Sequence, residues 1–412
     1  MEKKIENPPL PKASRQMPVT SDQLPVASGQ QPAARCQMPD ASLRRATLGL
    51  SSSRRQPSCN RLFIVPVFLP HAGCPHRCIF CNQSSITGTR STPECKDIHR
   101  HIDTFLNFRH KQRRFVQIAF FGGNFFGIQT PTMKRLLALA TQYITAGQAH
   151  SIRFSTRPDT ITRQRLASIK DFPVSTIELG VQSMDDNVLK RSNRGHTAAD
   201  TIKAVQLLRE FGYEVGVQLM VGLPGDDVQC LQTSARKIAR LKPDFIRIYP
   251  TVVLSGSPLA TLYKKGIYVP LSLAEAVSQT KELYLLFKGE NIRVIRMGLQ
   301  ASEDLQNGST ILAGPYHPAF GHLVYGKMFL DMAVLAIKSK NLKEDSVVLH
   351  VHPRSVSKMR GQRNENIKTL CGKLHLQSID VVADESLRQD QLKVSALSRN
   401  SDKVSPAFLN YR

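Results

Sequence analysis

The chain has 412 residues, a hydrophobic fraction of 41% and a formal net charge of +24 at pH 7. That length accommodates a large barrel plus a smaller unit, and so basic a balance points to a polyanionic partner, nucleic acid first. Eight cysteines in a chain this long argue against a disulfide framework, no apolar run reaches the ~18 residues of a membrane span, and the N-terminus lacks the continuous apolar core of a signal peptide, so the expected setting is the reducing cytoplasm.

Residues 1–60 are rich in Pro, Ser, Gln and Ala, with the basic pairs Arg44-Arg45 and Arg54-Arg55. No apolar periodicity lasts there, which predicts a disordered basic tail. From Arg61 the texture changes. Leu62 to Leu69 is a short apolar run, read as a buried strand. A helix is expected near 93–110. Phe115 to Phe121 reads as a second strand, ending in Gly122-Gly123, and helix 131–146 places Leu136, Leu137, Leu139 and Ala140 on a core face. Further strands are expected near 151–156, 175–181, 214–220 and 244–249, with helices near 160–170, 197–211, 226–240 and 273–288 and a last strand at 292–295. Strand and helix alternating about six times predict a parallel sheet with crossover helices. Beyond residue 300 the alternation stops. A helix near 324–338 and strands at 347–351 and 379–382 predict a small α+β unit. The expected organisation is thus a basic tail over 1–60, a core over 61–300 and an accessory domain over 301–412. Ligands of such sheets bind at the C-terminal ends of the strands.

The most informative loop follows the first strand. In it Cys74, Cys78 and Cys81 are separated by three residues and then two. Three thiolates so spaced can ligate three irons of a [4Fe–4S] cluster and leave the fourth iron open. They can also form part of a zinc site completed by His71 or His76, since a closed zinc site needs a fourth ligand. Other loops at strand ends carry Gly122-Gly123-Asn124, Ser155-Thr156-Arg157-Pro158-Asp159, Gly180-Val181-Gln182-Ser183 and Gly222-Leu223-Pro224-Gly225. Glycines at the second strand's end let backbone come close to a ligand. His317, His322, His350 and His352 match no standard zinc motif. The basic run Arg354, Lys358, Arg360 and Arg363 reads as a phosphate-contacting segment or as a solvated face.

The cysteine spacing, with Phe80 immediately before Cys81, resembles the signature of radical S-adenosylmethionine (SAM) enzymes. In that family the open iron chelates SAM, and an electron from the cluster cleaves it to a 5′-deoxyadenosyl radical. Membership implies a partial (β/α)₆ TIM-like barrel with cluster ligands Cys74, Cys78 and Cys81. It also implies a cofactor site over Phe80, Gly122, Gly123, Asn124, Ser155, Gln182, Arg194 and Gln218. Asn124 stands where the family tends to have an acid that holds the SAM amino group. Gln182 at a strand end can reach ribose hydroxyls or a carboxylate, and Arg194 can pair with the SAM carboxylate. Gln218 and Tyr249 are expected to face the barrel mouth.

The stretches 155–159, 178–197, 222–225 and 248–251 together resemble the radical SAM core of the catalytic third subunit of Elongator, and Gly314 to Gly321 resembles a segment that follows the core in bacterial relatives. This implies a tRNA substrate and an electron donor such as flavodoxin or ferredoxin. About a hundred residues follow the core, and no Arg/Gln-x-x-Gly-x-Gly/Ala loop for coenzyme A is visible. The expectation is therefore such a core without the acetyltransferase domain. Two other readings stay open: a coproporphyrinogen oxidase-like radical SAM enzyme, and a noncatalytic, metal-stabilised RNA-binding protein.

Overall fold

The structure, a computed structural model, describes residues 62–75, 77–83, 93–107, 115–299, 310–340 and 345–396. The tail expected over 1–60 lies outside these residues.

Seven strands form one parallel sheet in the order β1-β2-β3-β4-β5-β6-β8. They are β1 (Leu62–Leu69), β2 (Phe115–Gly122), β3 (Ser151–Thr156), β4 (Val174–Gln182), β5 (Glu214–Val221), β6 (Phe245–Pro250) and β8 (Arg293–Met297). β1 to β6 stand beside their neighbours in sequence, and parallel neighbours need crossovers. Helices α1 (Cys95–Asn107), α2 (Thr130–Thr145), α3 (Arg163–Ala167), α4 (Asp186–Arg191), α5 (Ala198–Glu210), α6 (Val228–Arg240), α7 (Pro258–Lys264) and α8 (Leu273–Gly289) occupy them. The result is a partial (β/α) barrel, as expected, with one strand more than six.

Alternation along the strands explains how the sheet is covered. Val65, Val67, Ile118, Phe120, Ile152, Phe154, Ile177, Leu179, Val217, Leu219, Ile246 and Ile248 are buried in one core. They share it with helix residues such as Ile98, Ile102, Met133, Leu137, Leu208 and Ile238. Each such side chain contributes roughly 1.5–3 kcal/mol on burial. Local signals set the helix starts. Thr197 with Asp200 and Ser272 with Glu275 form capping boxes at α5 and α8, and the Asp227 carboxylate accepts from the Cys230 N–H to open α6. The helix expected over 160–170 is shorter than the reading. Pro158–Thr160 forms a 3₁₀ turn, Thr162 caps α3, and the chain leaves the helix before Pro173, which disfavours helical backbone at Phe172.

The opposite face lines the barrel interior and is polar. At its lower end the Gln117 amide donates to Ser151 Oγ (3.0 Å), Ser175 Oγ (2.9 Å) and Thr176 Oγ1 (3.2 Å). One layer up, Glu178 Oε1 accepts from Arg153 at 3.0 Å, and its Oε2 forms an ion pair with Arg247 Nε at 3.0 Å. Arg153 lies over the Phe245 ring and Arg247 over the Phe121 ring, both at 5.0 Å. Gly216 leaves the room that Phe245 occupies, because a Cβ there would lie 2.3 Å from that ring.

Past the barrel, β7 (Val253–Leu254) pairs antiparallel with β9 (Ile311–Ala313). Helix α9 (Phe320–Lys340) then leads to a sheet ordered β11-β10-β12, made of β10 (Ser346–Val351), β11 (Ser378–Ala383) and β12 (Leu392–Ala396). Short helices α10 (Val356–Arg360) and α11 (Glu365–Leu374) lie between β10 and β11. α9 is long and apolar enough to cross a membrane by length and composition, although Lys327 and Asp331 interrupt its apolar run. Its apolar residues are spent on packing. Phe320 and Val324 meet α8 through Ala276 and Val277, and Phe329, Ala333 and Ile337 share a core with Val347, Leu349 and Val351 of β10.

Candidate active site

The cysteine loop leaves β1 through two left-handed residues, His71 (φ 55°) and Gly73 (φ 69°). Its base is welded to the turn after β2. Gly123 N donates to Leu69 O (3.0 Å) and Asn124 N to Ala72 O (2.7 Å). A Cβ on Gly123 would lie 2.1 Å from Ala72 O. The glycine pair therefore lets two backbone segments of the protein touch, where the sequence suggested room for a ligand.

Asn124 belongs to the same junction. It is 1% exposed. Its Nδ2 donates to Gly73 O (3.0 Å), and its Oδ1 accepts from Thr156 Oγ1 (2.6 Å), Arg157 N (3.1 Å) and Thr160 Oγ1 (3.0 Å). Its amide is a staple between the cysteine loop and the end of β3, with its oxygen already engaged three times. Ser155 follows Arg153 on the inward face of β3 and lines a small recess with Phe121 and Gly123.

The rest of the loop is fastened on the far side of the mouth. Asn193 Nδ2 donates to Arg77 O (2.9 Å), Ile79 N to Ser192 O (3.2 Å) and Leu259 N to Ile79 O (2.8 Å). Phe80 packs against the cluster of Val188, Met220 and Leu223, as does Tyr249. Cys78 is buried, and Cys74 and Cys81 are half-buried.

Arg194, 7% exposed, reaches the loop from the turn after α4. It donates to Cys78 Sγ (3.1 Å) and to the Gly180 carbonyl. Gly180 is bare because a Cβ would come 3.1 Å from Gln182 Nε2 and 3.2 Å from Arg194. Gln182 takes a left-handed backbone (φ 72°) at a bulge in β4, and its Oε1 accepts from Gln218 Nε2 (3.2 Å). The structure thus brings Cys74, Cys78, Cys81, Gln182, Arg194 and Gln218 together at the C-terminal mouth. Tyr249 borders it, with its hydroxyl accepting from Arg247 at 3.2 Å. Beside the mouth, a cleft of about 470 Å³ opens between Gly222–Asp226 and Leu262–Leu271.

The thiols share one electrostatic site. Burial, then Cys78 and Cys74, push the Cys81 thiol up to about 12. Burial and Cys78 raise Cys74, while Arg194 opposes both shifts. Such a set gains by exchanging protons for a cationic centre. Among the described residues no three His, Cys, Asp or Glu side chains converge to hold a single metal ion. His71, offered above as a zinc ligand, uses Nε2 to accept from Gln83 N (3.2 Å); His76 lies outside the described residues. His317 and His352 accept from nearby backbone N–H groups, and His350 pairs with Ser395. Three thiols in one loop under a guanidinium fit a cluster that binds each sulfur at a different iron.

His196 shapes the wall behind Gln182. It is 5% exposed, its Nε2–H meets Val181 O at 3.2 Å, and its Nδ1 has no partner. Burial, then Arg194, depresses it to about 3. A folded value below the unfolded value of about 6.5 means the neutral ring stabilises the fold fully above pH 6.5. That contribution is lost as pH falls from 6.5 towards 3, by about 1.4 kcal/mol per pH unit. Urea unfolding across this window should show His196→Leu with a shallower acid slope than wild type. An unchanged slope would remove His196 as the cause.

Sequence reasoning missed the Arg153–Glu178–Arg247 layer. The available signal was three charged residues in the middle of otherwise apolar strands.

A parallel partial barrel whose mouth holds a three-cysteine loop under a buried arginine defines a cofactor-dependent barrel enzyme. The Radical SAM superfamily profile matches residues 68–238, and the Radical SAM C-terminal domain matches 243–329. The chain belongs to the radical SAM superfamily, with a core similar to that of the Elongator third subunit. It is 28% identical over 254 residues to the tRNA uridine(34) acetyltransferase of Methanocaldococcus infernus, covering 52% of this chain and 47% of that protein. It is 25% identical over 249 residues to Elongator complex protein 3 of Drosophila melanogaster, covering 48% and 44%. The solved structure of Methanocaldococcus infernus Elp3 superposes with a TM-score of 0.53 at 22% identity, covering 69% of this chain and 64% of that one. The chain thus spans about half the length of these two curated relatives. Superfamily membership implies a [4Fe–4S] cluster and SAM.

Proposed function

We propose that this chain is a radical SAM enzyme acting on RNA, with tRNA as its substrate class. The observation that carries the reading is the meeting of the cysteine loop with Arg194 at the mouth of a polar-lined parallel barrel. When bound, the cluster and SAM supply a 5′-deoxyadenosyl radical for hydrogen-atom abstraction. Cys74, Cys78 and Cys81 hold the cluster. Arg194, which donates to Cys78 Sγ, offsets the negative charge of buried sulfur. Gln182 and Gln218, paired across the mouth, orient polar groups of the cofactor. Ser155 and Tyr249 border the same space. Phe80 and its apolar neighbours exclude water from the loop. Residues 61–300 carry this chemistry, and 301–412 serve as the accessory domain. A low-potential flavodoxin or ferredoxin is the electron donor, and the cytoplasm is the setting. The RNA assignment is supported by the +24 charge and by relatives named as tRNA uridine(34) acetyltransferases.

The test is anaerobic. The full chain is reconstituted with iron and sulfide, reduced with dithionite, given SAM and assayed for 5′-deoxyadenosine with and without bulk tRNA. Product that rises with tRNA supports the reading. Bound zinc in place of iron with no 5′-deoxyadenosine would replace it with the metal-stabilised RNA-binding protein. Product stimulated by a porphyrinogen and indifferent to tRNA would replace the substrate class.

Arg194→Lys is expected to lower 5′-deoxyadenosine formation at least about tenfold, and Arg194→Met further. The planar fork reaches Gly180 O and Cys78 Sγ together, which a lysine point charge cannot do. Iron content measured in parallel shows whether the loss arises at cluster loading. Full activity of Arg194→Lys would show that charge alone suffices.

A further inference from the structure

We propose that the corner formed by residues 352–368, beside the barrel mouth, is a track for the phosphate backbone of the substrate RNA. The proposal rests on the RNA reading above and assigns it a surface.

The first support is charge. Between His352 and His375 the chain carries Arg354, Lys358, Arg360, Arg363, Lys368 and Lys373 against a single acid, Glu365. Arg354, Arg360, Arg363 and Lys368 are exposed. Arginine presents a planar fork that matches phosphate oxygens. Gln362 and Asn364, also exposed, add neutral hydrogen-bonding groups at the same corner.

The second support is position. Gly314 lies over the carbonyl of Thr251, just past β6, and Gly321 over that of Met297 at the end of β8. The segment 314–321 therefore crosses the C-terminal ends of two barrel strands. The basic corner is fixed to this segment and to the start of α9. Gln362 Nε2 stands 3.2 Å from His317 Nε2, and Asn366 Nδ2 donates to Gly326 O (2.9 Å). The Lys358 ammonium lies 4.8 Å over the Tyr325 ring. A strand of RNA held on the corner would have its next nucleotides at the mouth. Tyr316, in the connecting segment, has a buried hydroxyl without a partner.

The third support is the form of the corner. Gly361, Arg363 and Asn364 all have positive φ (70°, 49° and 60°). Two successive non-glycine residues in this region cost energy, and they turn the chain sharply between α10 and α11.

A membrane surface fits less well. No large hydrophobic side chain is exposed between residues 352 and 375, and interfacial binding needs apolar insertion beside the charge.

The experiment is a salt titration of fluorescein-labelled tRNA binding to the full chain, read by anisotropy. It compares wild type, the triple variant Arg354→Gln/Arg360→Gln/Arg363→Gln and a charge-matched control. The control is Lys134→Gln/Lys203→Gln/Arg236→Gln on outer helices α2, α5 and α6. Circular dichroism confirms folding of each. Each phosphate contact adds about 0.7–0.9 to the slope of log K against log salt. The corner variant should lose about two units of slope and about tenfold or more in affinity near physiological salt, while the control keeps wild-type slope. Equal losses in both variants, or none in the corner variant, would overturn the track and leave the RNA reading standing. Wild type that ignores tRNA would overturn both readings. Anionic phosphatidylserine vesicles form a last arm: binding to them that the corner variant loses, with tRNA binding intact, would reassign the corner to a membrane.

Discussion

Cys74→Ala, Cys78→Ala and Cys81→Ala are each expected to lower iron bound after anaerobic reconstitution from about four per chain to background, and 5′-deoxyadenosine formation by about a thousandfold or more. Under the proposed function each thiolate would hold the cluster through a different iron, so loss of one would weaken its retention. Among the described residues the loop's histidine is engaged and the other cysteines lie on helices. The His71 ring accepts from Gln83 N. Cys95, Cys230 and Cys371 sit on α1, α6 and α11. Cys230→Ala is the matched control and should retain both iron and product. The loop's backbone bonds to β1, the β2 turn, the end of α4 and α7 do not depend on the thiols, so the three variants should fold. Iron retained in Cys78→Ala, at the wild-type ratio of iron to sulfide, would mean the ligand set is wrong.

The barrel was legible because its code is local. Largely apolar runs of five to nine residues became strands, and the capping residues of α5, α6 and α8 stand beside them in the sequence. The cysteines announced themselves by spacing, Gln182 and Gln218 by their places near strand ends, and Arg194 by its position twelve residues past Gln182. What stayed hidden depends on partners distant in sequence. Asn124 was read as a ligand group from its place after Gly122-Gly123, where the family tends to have an acid. Its hydrogen bonds go to Gly73, Thr156, Arg157 and Thr160, none of them near it in sequence. Arg194 was read as a carboxylate clamp, yet in this structure it rests on Cys78 and Gly180, 116 and 14 residues away. β12 was missed because the alternation of Leu392, Val394 and Ala396 with Lys393 and Ser395 spans only five residues and lies in a polar stretch. Its place is given by β10, which it pairs with antiparallel.

Glu178→Ala is expected to destabilise the fold by about 3–5 kcal/mol, because it leaves two buried guanidinium groups without their shared counter-charge. Arg153 and Glu178 are 3% and 4% exposed. Each carboxylate oxygen serves one arginine at 3.0 Å, and the Phe245 and Phe121 rings, over which the guanidiniums lie, offer them only a weak substitute. Urea unfolding at pH 7 would read the loss as a lower midpoint at constant m. An apolar replacement of the whole layer, Arg153→Met/Glu178→Leu/Arg247→Met, should regain much of that stability, since desolvating three charges costs about what their pairing returns. The two variants separate stability from chemistry. The apolar layer folds but no longer holds the Tyr249 hydroxyl, which accepts from Arg247. If Tyr249 works at the mouth, its 5′-deoxyadenosine yield with tRNA should fall while iron content stays at wild-type level. A Glu178→Ala protein with an unshifted urea midpoint would show instead that water reaches this layer and that the barrel interior is not the closed polar core the geometry describes.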